Sequence, residues 1–283
     1  MYTINSFNPY FAMFIRQFFV EGIDFIRQIY LNRFLIWELT KRDFKTKYVG
    51  NLFGLSWAIL EPMAMMFILW FVFTYIRTGK QSQIPFPLFL LTGLIVYDLF
   101  NKALNSATRG ISSYGFLINK VNFRTAIIPL VKIFSELFLH FIILALVCII
   151  LILYGMPVTW YWLQVFYYLF ALVFLLVGIT WLTSSISLFF QDINYIITIV
   201  MRVMFFFTPI FWEANNIPKN LVIYFQLNPL YYLVNGYRES LLYGVPIWAH
   251  VQGTLYFWGV SLLFFIAGVF VFKRLRPYFA EMV

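Results

Sequence analysis

Charge is scarce in this sequence. Only 11% of its 283 residues are Asp, Glu, Lys or Arg, whereas 63% are hydrophobic; soluble globular domains are charged at about a quarter of their positions. Between Leu137 and Gln191 no charged residue occurs. That stretch exceeds one bilayer crossing of about 20 residues and fits two crossings joined by a turn at Gly155-Met156-Pro157. The composition therefore predicts an integral membrane protein.

Side chains that support metal binding or catalysis are also few. The single cysteine, Cys148, excludes an intrachain disulfide, and two histidines, His140 and His250, cannot form the usual Cys/His metal sites. The sequence has neither GxxxxGKS/T nor GxGxxG, the glycine-rich loops that bind nucleotide phosphates. The carboxylates in or beside apolar segments are scattered: Glu61, Asp98, Glu136, Asp192 and Glu213. We predict no catalytic residue, no metal site and no cofactor bound by this chain.

Six apolar segments indicate transmembrane helices. They cover approximately residues 52–76, 86–104, 125–154, 160–190, 196–212 and 251–272. The sequence thus predicts an all-α membrane protein. Residues 1–51 form a cytoplasmic and interfacial N-terminal segment, residues 52–272 a six-span transmembrane domain, and residues 273–283 a cytoplasmic tail.

The net charge of +9 orients the chain in the membrane. If the N-terminus is cytoplasmic, seven Lys or Arg precede the first span, five lie around the connection after the second span, and three lie in the tail. Four would be external, Arg77, Lys80, Lys219 and Arg238, and Arg202 would be buried. This bias follows the positive-inside rule and places both termini in the cytoplasm. The basic residues need no nucleic acid as a partner.

The segment RFLIWELTKRDFKTKY, residues 33–48, is amphipathic. Its aromatic residues recur at helical spacing and form one face, whereas four charged residues point away from that face. The aromatic face comprises Phe34, Trp37, Phe44 and Tyr48, with Lys41 among them; the residues pointing elsewhere are Glu38, Arg42, Asp43 and Lys45. This pattern predicts a helix in the membrane interface, bound to lipids. The alternative is a cytosolic helix packed on a partner.

Two connections are more apolar than solvated loops. Residues 109–124 favour a short helix on a binding surface, with an ordinary loop as the alternative. Residues 213–247 form an external connection in which Asn228-Pro229, Gly236 and Gly244 separate two apolar pieces, 217–227 and 230–243. Each piece is too short to cross a bilayer, which predicts re-entrant or interfacial helices before the last span. The alternative is an irregular membrane-facing loop.

Ionisable groups inside a bilayer are costly and invite a functional interpretation. Arg202 is predicted to pair with Glu136 or Asp98 or to line a polar path; the alternatives are a buried structural ion pair and snorkelling of its side chain towards the membrane interface. Glu136 and His140 stand four residues apart on one helical face. We expect a structural hydrogen bond there rather than a proton relay.

Three blocks in order resemble the permease subunits of polysaccharide-exporting ABC transporters. The first is KRDFKTKYVGNLFGLSWAILEP, with matching positions Lys45, Lys47, Tyr48, Leu52, Gly54, Leu55, Trp57 and Pro62. The second is FFQDI at 189–193, which has Gln191 where the family has a basic residue. The third is TPIFWEANNIPKN followed by NPLYYLVNGYRESLL, with Thr208, Pro209, Ile210, Ile217, Pro218, Asn228, Pro229, Tyr237 and Arg238. The likeness covers approximately residues 33 to 276.

The resemblance implies a homodimer with two separate ATPase subunits, which bind ATP and Mg²⁺. It also implies that residues 109–124 dock on the ATPase and that a lipid-pyrophosphate-linked glycan moves outward along the dimer axis. The coupling residues would be Gly115, Phe116, Leu117, Ile118, Asn119 and Lys120, with Gln191 and Asp192 at the other junction. The first and fifth spans would line the path.

Aromatic side chains suit such a path, because flat apolar rings contact sugar C–H faces with few fixed hydrogen bonds. The candidates are Trp57, Phe67, Trp70, Phe71, Phe73 and Tyr75 in the first span, and Phe205, Phe206, Phe207, Phe211 and Trp212 in the fifth. Lys41, Arg42, Lys45 and Lys47 can attract the pyrophosphate at the entrance; the alternative is that they only orient the chain. Glu61 and Pro62 are predicted to form a hinge, because Pro62 cannot donate to the carbonyl of Ala58.

These features predict a permease, not an enzyme, in the bacterial cytoplasmic membrane, which exports a lipid-linked polysaccharide such as O-antigen, teichoic acid or capsule. One alternative is an ABC exporter of drugs or small amphiphiles, for which a short or narrow aromatic lining would be typical. Another is a polytopic glycosyl- or acyltransferase, which needs clustered carboxylates or a His-Asp pair. An ion-coupled carrier would show an internal repeat, and none stands out.

Overall fold

All regular structure is helical in the part of the chain that the computed structural model describes, namely residues 27, 29–48, 54, 56–76, 84–118, 124–213 and 217–282. The α-helices are α1 (Arg33–Tyr48), α2 (Ser56–Ile76), α3 (Phe86–Thr108), α4 (Gly110–Ser113), α5 (Gly115–Ile118), α6 (Ile127–Leu153), α7 (Gln164–Phe189), α8 (Ile193–Phe207), α9 (Lys219–Gln226), α10 (Pro229–Arg238), α11 (Val251–Leu275) and α12 (Phe279–Met282). Short 3₁₀ turns cover Trp160–Leu163, Ile247–His250 and Arg276–Tyr278, and a π-helical turn covers Glu239–Tyr243. The prediction of an all-α protein is confirmed.

Four described helical segments are long and apolar enough to cross a membrane: Phe86–Thr108, Ile127–Leu153, Trp160–Phe189 and Ile247–Met282. They match the second, third, fourth and sixth predicted spans, and they make the chain a multi-pass membrane protein. The first and fifth predicted spans are represented by shorter apolar helices, Ile59–Val72 within α2 and Ile193–Phe207. The 15 residues of α8 give a length of about 22 Å, less than a hydrocarbon core of about 30 Å.

The core of the bundle lies around α3 and α7. α3 buries residues on most of its circumference and contacts α6, α7 and α10, while α7 also packs along α11. A helix that is buried all round belongs to the interior, whereas α11 buries few residues and presents apolar side chains outward. The bundle therefore has an interior pair, α3 and α7, with the other long helices around it.

α7 and α11 approach each other at two glycines. A β-carbon added at Gly178 would lie 2.6 Å from the backbone nitrogen of Phe265, and one added at Gly268 would meet the carbonyl oxygen of Gly178. Small residues allow this approach, because dispersion contacts between backbones stabilise helix pairs where no hydrophobic effect operates. Only glycine fits both positions without separating the helices.

The Gly268→Ala variant is expected to unfold at a lower temperature than the wild type. Its methyl group must push α11 away from Gly178, and overpacking of this kind costs about 1–3 kcal/mol. Gly259→Ala is the matched control, because it lies in the same helix and its added methyl group would have no other atom within 4 Å. Both variants gain the same helix propensity. Equal unfolding midpoints for the two purified proteins would contradict the packing argument.

Candidate functional site

α1 packs on α6 through a stripe of two aliphatic and two polar side chains. Ile36, Leu39, Thr40 and Asp43 are buried, whereas Phe34 is 71% exposed. Of the aromatic face that the sequence analysis selected, Phe34 points away from the rest of the chain, whereas the rings of Trp37 and Phe44 contact Phe138 of α6, with ring centres 5.4 Å and 5.8 Å apart. Asp43 lies away from Phe34, as predicted, but its side chain is buried. It lies on the buried face because positions 36, 39, 40 and 43 form a second stripe with helical spacing.

Asp43 is the centre of a charge network between α1 and α6. Lys132 donates to its Oδ1 at 2.5 Å, and Lys47 lies 3.3 Å from its Oδ2. Lys47 also pairs with Glu136 at 2.7 Å. Burial raises the pKa of Asp43, but the attraction of Lys47 and Lys132 outweighs it, so the pKa lies below its ordinary value. The carboxylate is therefore ionised. It pairs with two lysines, Lys47 on its own helix and Lys132 on α6.

The same network reaches the predicted coupling segment. The hydroxyl of Tyr114, between α4 and α5, donates to Asp43 Oδ1 at 3.4 Å. Burial, and then the charge of Asp43, raise the pKa of Tyr114 to about 12, which keeps the phenol protonated as a donor. Lys132 lies 4.9 Å from the centre of the Tyr114 ring. The position of α1 is thus linked to the position of the segment that follows α3.

Three of the predicted coupling residues, Phe116, Gln191 and Asp192, lie at the surface. Phe116 is 53% exposed, Gly115 is buried, and Gln191 and Asp192 are exposed in the turn between α7 and α8. Asn119 and Lys120, and the side chains of Leu117 and Ile118, lie outside the described residues. The role of this group in contacting an ATPase stays a prediction.

The four predicted entrance cations have different surroundings. Lys47 is half-buried between two carboxylates, and Lys41 pairs with Glu38 at 2.8 Å on the surface. The Arg42 guanidinium lies 5.8 Å from the centre of the Phe116 ring, and Lys45 is exposed. The charge of Lys47 is already balanced within the chain, which makes it a poor anion ligand.

A second charged group joins α2 to α3. Lys102 pairs with Asp98 at 3.1 Å and with Glu61 at 3.6 Å, although Glu61 is 73% exposed. α2 runs from Ser56 to Ile76 with Pro62 buried inside it. Glu61 is thus attached to α3 beside the point where the proline removes a helical hydrogen bond. The hinge itself stays a prediction.

The pairings expected for Glu136, His140 and Arg202 were wrong. Glu136 pairs with Lys47, whereas His140 Nε2 lies 3.1 Å from the hydroxyl of Tyr237. Arg202 is exposed and has no carboxylate within ion-pair distance among the described residues. α8 buries Ile197 and Met201 against the bundle, and Arg202 lies beside that stripe on the outer surface.

The predicted path aromatics are largely at the surface. On α2 the exposed rings are Trp57, Phe67, Trp70 and Phe71, and on α8 they are Phe206 and Phe207. Phe205, Phe211 and Trp212 are half-buried, and the side chains of Phe73 and Tyr75 lie outside the described residues. At the end of α8, the ring centres of Phe205 and Phe206 are 5.4 Å apart, and Phe211 lies within 5.9 Å of both. These rings form two aromatic surfaces, one on α2 and one at the end of α8.

A polar cavity of about 350 Å³ lies between α3 and α8. The sequence analysis singled out only one of its residues, Arg202. Its main polar lining is Tyr97, Asn101, Asn105 and Arg109 from α3 and its C-terminal end, and Thr198 and Arg202 from α8. The helical spacing of four residues was the available signal: 97, 101, 105 and 109 form one stripe on α3, and 198 and 202 form another on α8.

Arg238, which the sequence analysis counted on the external side of the membrane, is buried inside the protein, with 2% of its surface exposed. Its guanidinium donates to the carbonyl of Phe89 at 3.2 Å and to the carbonyl of Ile210 at 2.6 Å. Its Cζ lies 3.5 Å from the centre of the Phe89 ring. Arg238 therefore fastens α10 to the first turn of α3 and to the segment after α8.

The two predicted apolar pieces before the last span are both helical, as α9 and as α10 with the following π-helical turn. Asn228 caps α10 by accepting from the backbone nitrogen of Leu230 at 3.0 Å, and it donates to Thr208 Oγ1 at 2.9 Å. α10 packs against α3 and α7. Its depth in a membrane stays a prediction.

A family model described as ABC-2 type transporter matches residues 34–242, which include nearly all of α1, the helices from α2 to α10 and most of the π-helical turn. The chain belongs to the ABC-2 type transporter family. The resemblance inferred from the sequence blocks is confirmed, and so is the prediction that the chain is a transport subunit and not an enzyme. Within this ABC-2 transporter chain, the matched region contains the charge network, the polar cavity and Arg238.

Relatives of this ABC-2 transporter extend beyond the matched region. The O-antigen export system permease protein RfbA of Klebsiella pneumoniae is 28% identical over 252 residues, which are 88% of this chain and 95% of the relative. The protein of the same name from Myxococcus xanthus is 25% identical over 92% of this chain and 100% of the relative. The polysialic acid transport protein KpsM of Escherichia coli is 29% identical over 72% of this chain and 79% of the relative.

Proposed function

We propose that this chain is the membrane-spanning permease subunit of an ABC transporter that exports a lipid-linked polysaccharide across the bacterial cytoplasmic membrane. The observation that carries the proposal is the similarity to O-antigen permeases over about nine-tenths of the chain. The relatives include exporters of both O-antigen and polysialic acid. The cargo class is therefore an extended glycan, and the exposed aromatic surfaces of α2 and α8 suit it.

The energy comes from partner subunits in this proposal. Permeases of polysaccharide export systems in this family work with ATPase subunits. We expect two ATPase chains, which bind ATP and Mg²⁺, to dock on α4, α5 and the turn at Gln191 and Asp192. The contact between Tyr114 and Asp43 would transmit their movement to α1, because it joins the coupling segment to that helix.

A second copy of the chain would complete the path. The outward surface of α2 carries Glu61, and that of α8 carries Arg202, beside apolar side chains. A charge that faces lipid costs several kcal/mol. The outward surface of α11, in contrast, presents Leu262, Leu263 and Ile266. We therefore assign α11 to the lipid and the surfaces of α2 and α8 to a wet dimer axis.

The proposed topology has six crossings with both termini in the cytoplasm. α2 and α8 would supply the first and fifth crossings, and α9 and α10 would form the external re-entrant pair. The distribution of Lys and Arg supports this orientation, since most of them precede the first span, follow the second or lie in the tail. The apolar and aromatic face of α1 would lie in the inner membrane interface.

The proposal predicts export that depends on a companion ATPase. The test is to express the permease with the ATPase encoded beside it in a strain that makes the cognate glycan but lacks its exporter, and to measure surface glycan. Replacing the phosphate-loop lysine of the ATPase is the control, and it should reduce surface glycan at least tenfold while lipid-linked glycan accumulates inside. Glycan movement by the permease alone in vesicles, or turnover of a substrate by it, would overturn the proposal. The mass of the purified complex should correspond to two permease and two ATPase chains.

A further inference from the structure

The polar cavity between α3 and α8 has a defined place in the chain. Arg109 lies at the C-terminal end of α3, and Arg202 lies near the middle of α8, whose first residue is Ile193. With the proposed topology, the ends of α3 and α8 that border this cavity are cytoplasmic. The cavity then extends from the inner headgroup region, at Arg109, towards the middle of the membrane, where Tyr97 and Arg202 lie about halfway along α3 and α8.

The charge of this cavity is not balanced. Lys47, Lys102 and Lys132 each lie within 3.3 Å of a carboxylate oxygen, and the guanidinium of Arg238 lies on two backbone carbonyls. Arg109 and Arg202 line one cavity, and no Asp or Glu is among its lining residues. Across the described ranges, neither arginine forms an ion pair. Two guanidinium groups that line one cavity repel each other, and a bound anion removes that repulsion.

The amides between the two arginines are already oriented. The Thr198 hydroxyl shares its hydrogen between the carbonyl of Asn194 at 2.8 Å and Asn105 Oδ1 at 3.2 Å, and Asn105 donates to Asn101 Oδ1 at 2.9 Å. Asn101 accepts through its side-chain oxygen, which leaves its amide hydrogens as donors. A network of this kind holds its side chains in place before a ligand arrives. The cavity therefore offers two cations and a neutral donor to one small polar group.

We propose that this cavity binds a phosphate-bearing headgroup from the inner leaflet, with Arg109 and Arg202 on the phosphate oxygens and Asn101 on an adjoining oxygen. The volume of about 350 Å³ lies within the range of small-ligand sites, about 300–1,000 Å³. The guanidinium fork matches phosphate geometry, whereas Lys47 on α1 is already neutralised. This inference rests on the proposed function, since that cargo is itself a lipid phosphate. The same chemistry is offered by membrane phospholipids, and the test separates the two.

The test uses the permease with its ATPase in phosphatidylcholine nanodiscs and farnesyl pyrophosphate as the probe, with binding measured by native mass spectrometry. R109Q and R202Q should each weaken binding at least tenfold, because each removes a charged hydrogen-bond donor from the phosphate. R202K keeps the charge but loses the fork, and its affinity should fall between wild type and R202Q. R274Q is the control, since Arg274 is exposed near the end of α11 and away from the cavity.

A second series replaces part of the phosphatidylcholine with phosphatidylglycerol. If this lipid displaces the probe from the wild type, the phosphate comes from the membrane; if it does not, the prenyl pyrophosphate of the cargo is the occupant. Binding by the R109Q/R202Q double variant equal to wild type, or an equal loss in R274Q, would overturn the inference. Export by the wild type is measured separately in cells, so that failure of the cavity proposal remains distinct from failure of the transport proposal.

Discussion

Replacing Arg238 with methionine is expected to lower the stability of the purified complex by about 3 kcal/mol. Methionine retains most of the side-chain volume, so the loss comes mainly from hydrogen bonds. The carbonyl of Phe89 still accepts a hydrogen bond within the helix α3, but Ile210 lies in the non-helical segment after α8. Its carbonyl would lose the donor at 2.6 Å in a site that water does not reach. A buried unpaired acceptor costs about 1–3 kcal/mol, and the contact with the Phe89 ring is lost as well.

The measurement is the thermal unfolding midpoint, and R276M is the control because Arg276 is exposed near the C-terminus. Gly93→Ala offers an independent test, since its methyl group would lie 2.5 Å from Nη2 of Arg238. The two changes disturb one contact, so the R238M/G93A double variant should lose less than the sum of the single losses. A full sum, or a midpoint for R238M equal to that of R276M, would show that Arg238 does not hold α10 to α3.

Replacing Asp43 with asparagine should release α1 from α6. Asparagine cannot balance Lys132, whose side chain is only 12% exposed and which has Asp43 as its carboxylate. Removing one partner of a buried pair costs about 3–5 kcal/mol. Because the hydrogen bond of the Tyr114 hydroxyl to position 43 would lose its charged acceptor and weaken, α4 and α5 should loosen together with α1. Hydrogen exchange within residues 33–48 and 110–118 measures the effect directly.

Glu38→Gln is the matched control for Asp43→Asn. Both residues are acids of α1 that pair with lysine, but the Glu38–Lys41 pair is 68% and 49% exposed, and such surface pairs contribute little. Similar exchange rates in the two variants would contradict a structural role for the buried network.

The difference in stability between wild type and D43N should also depend on pH. The pKa of Asp43 is lowered in the folded state, so its contribution is complete above the unfolded value of 3.8 and is lost as the pH falls through the lower folded value. The stability difference between wild type and D43N should therefore be constant near neutral pH and shrink below about pH 4.

The positions of most helices followed from the sequence, because long uncharged runs have few alternatives in a membrane. Which face of a helix is buried was harder to predict. On α1 the stripe that contains Phe34 and Trp37 is more hydrophobic, yet the bundle buries the stripe that contains Ile36 and Asp43. Lipid and protein interior are both apolar environments, so hydropathy does not distinguish a face that meets one from a face that meets the other.

The environments of Arg202 and Arg238 were difficult to predict for a related reason. Hydropathy along the chain indicates how deep a residue lies, but not on which side of its helix. Arg202 is surrounded by apolar residues in sequence and lies on the outer side of α8, whereas Arg238 follows a mixed segment and is buried. The acceptors of Arg238 are Phe89 and Ile210, 149 and 28 residues away along the chain. Only the tertiary structure brings them together.

The meeting of Gly178 and Gly268 has a consequence for how this protein can move. Where two backbones touch, there are few side-chain rotamers to rearrange, so α7 and α11 should travel as one rigid body during the transport cycle. α2 and α8 contact the rest of the chain less extensively. We expect the passage to widen by displacement of these two helices, while the glycine-joined pair keeps its spacing.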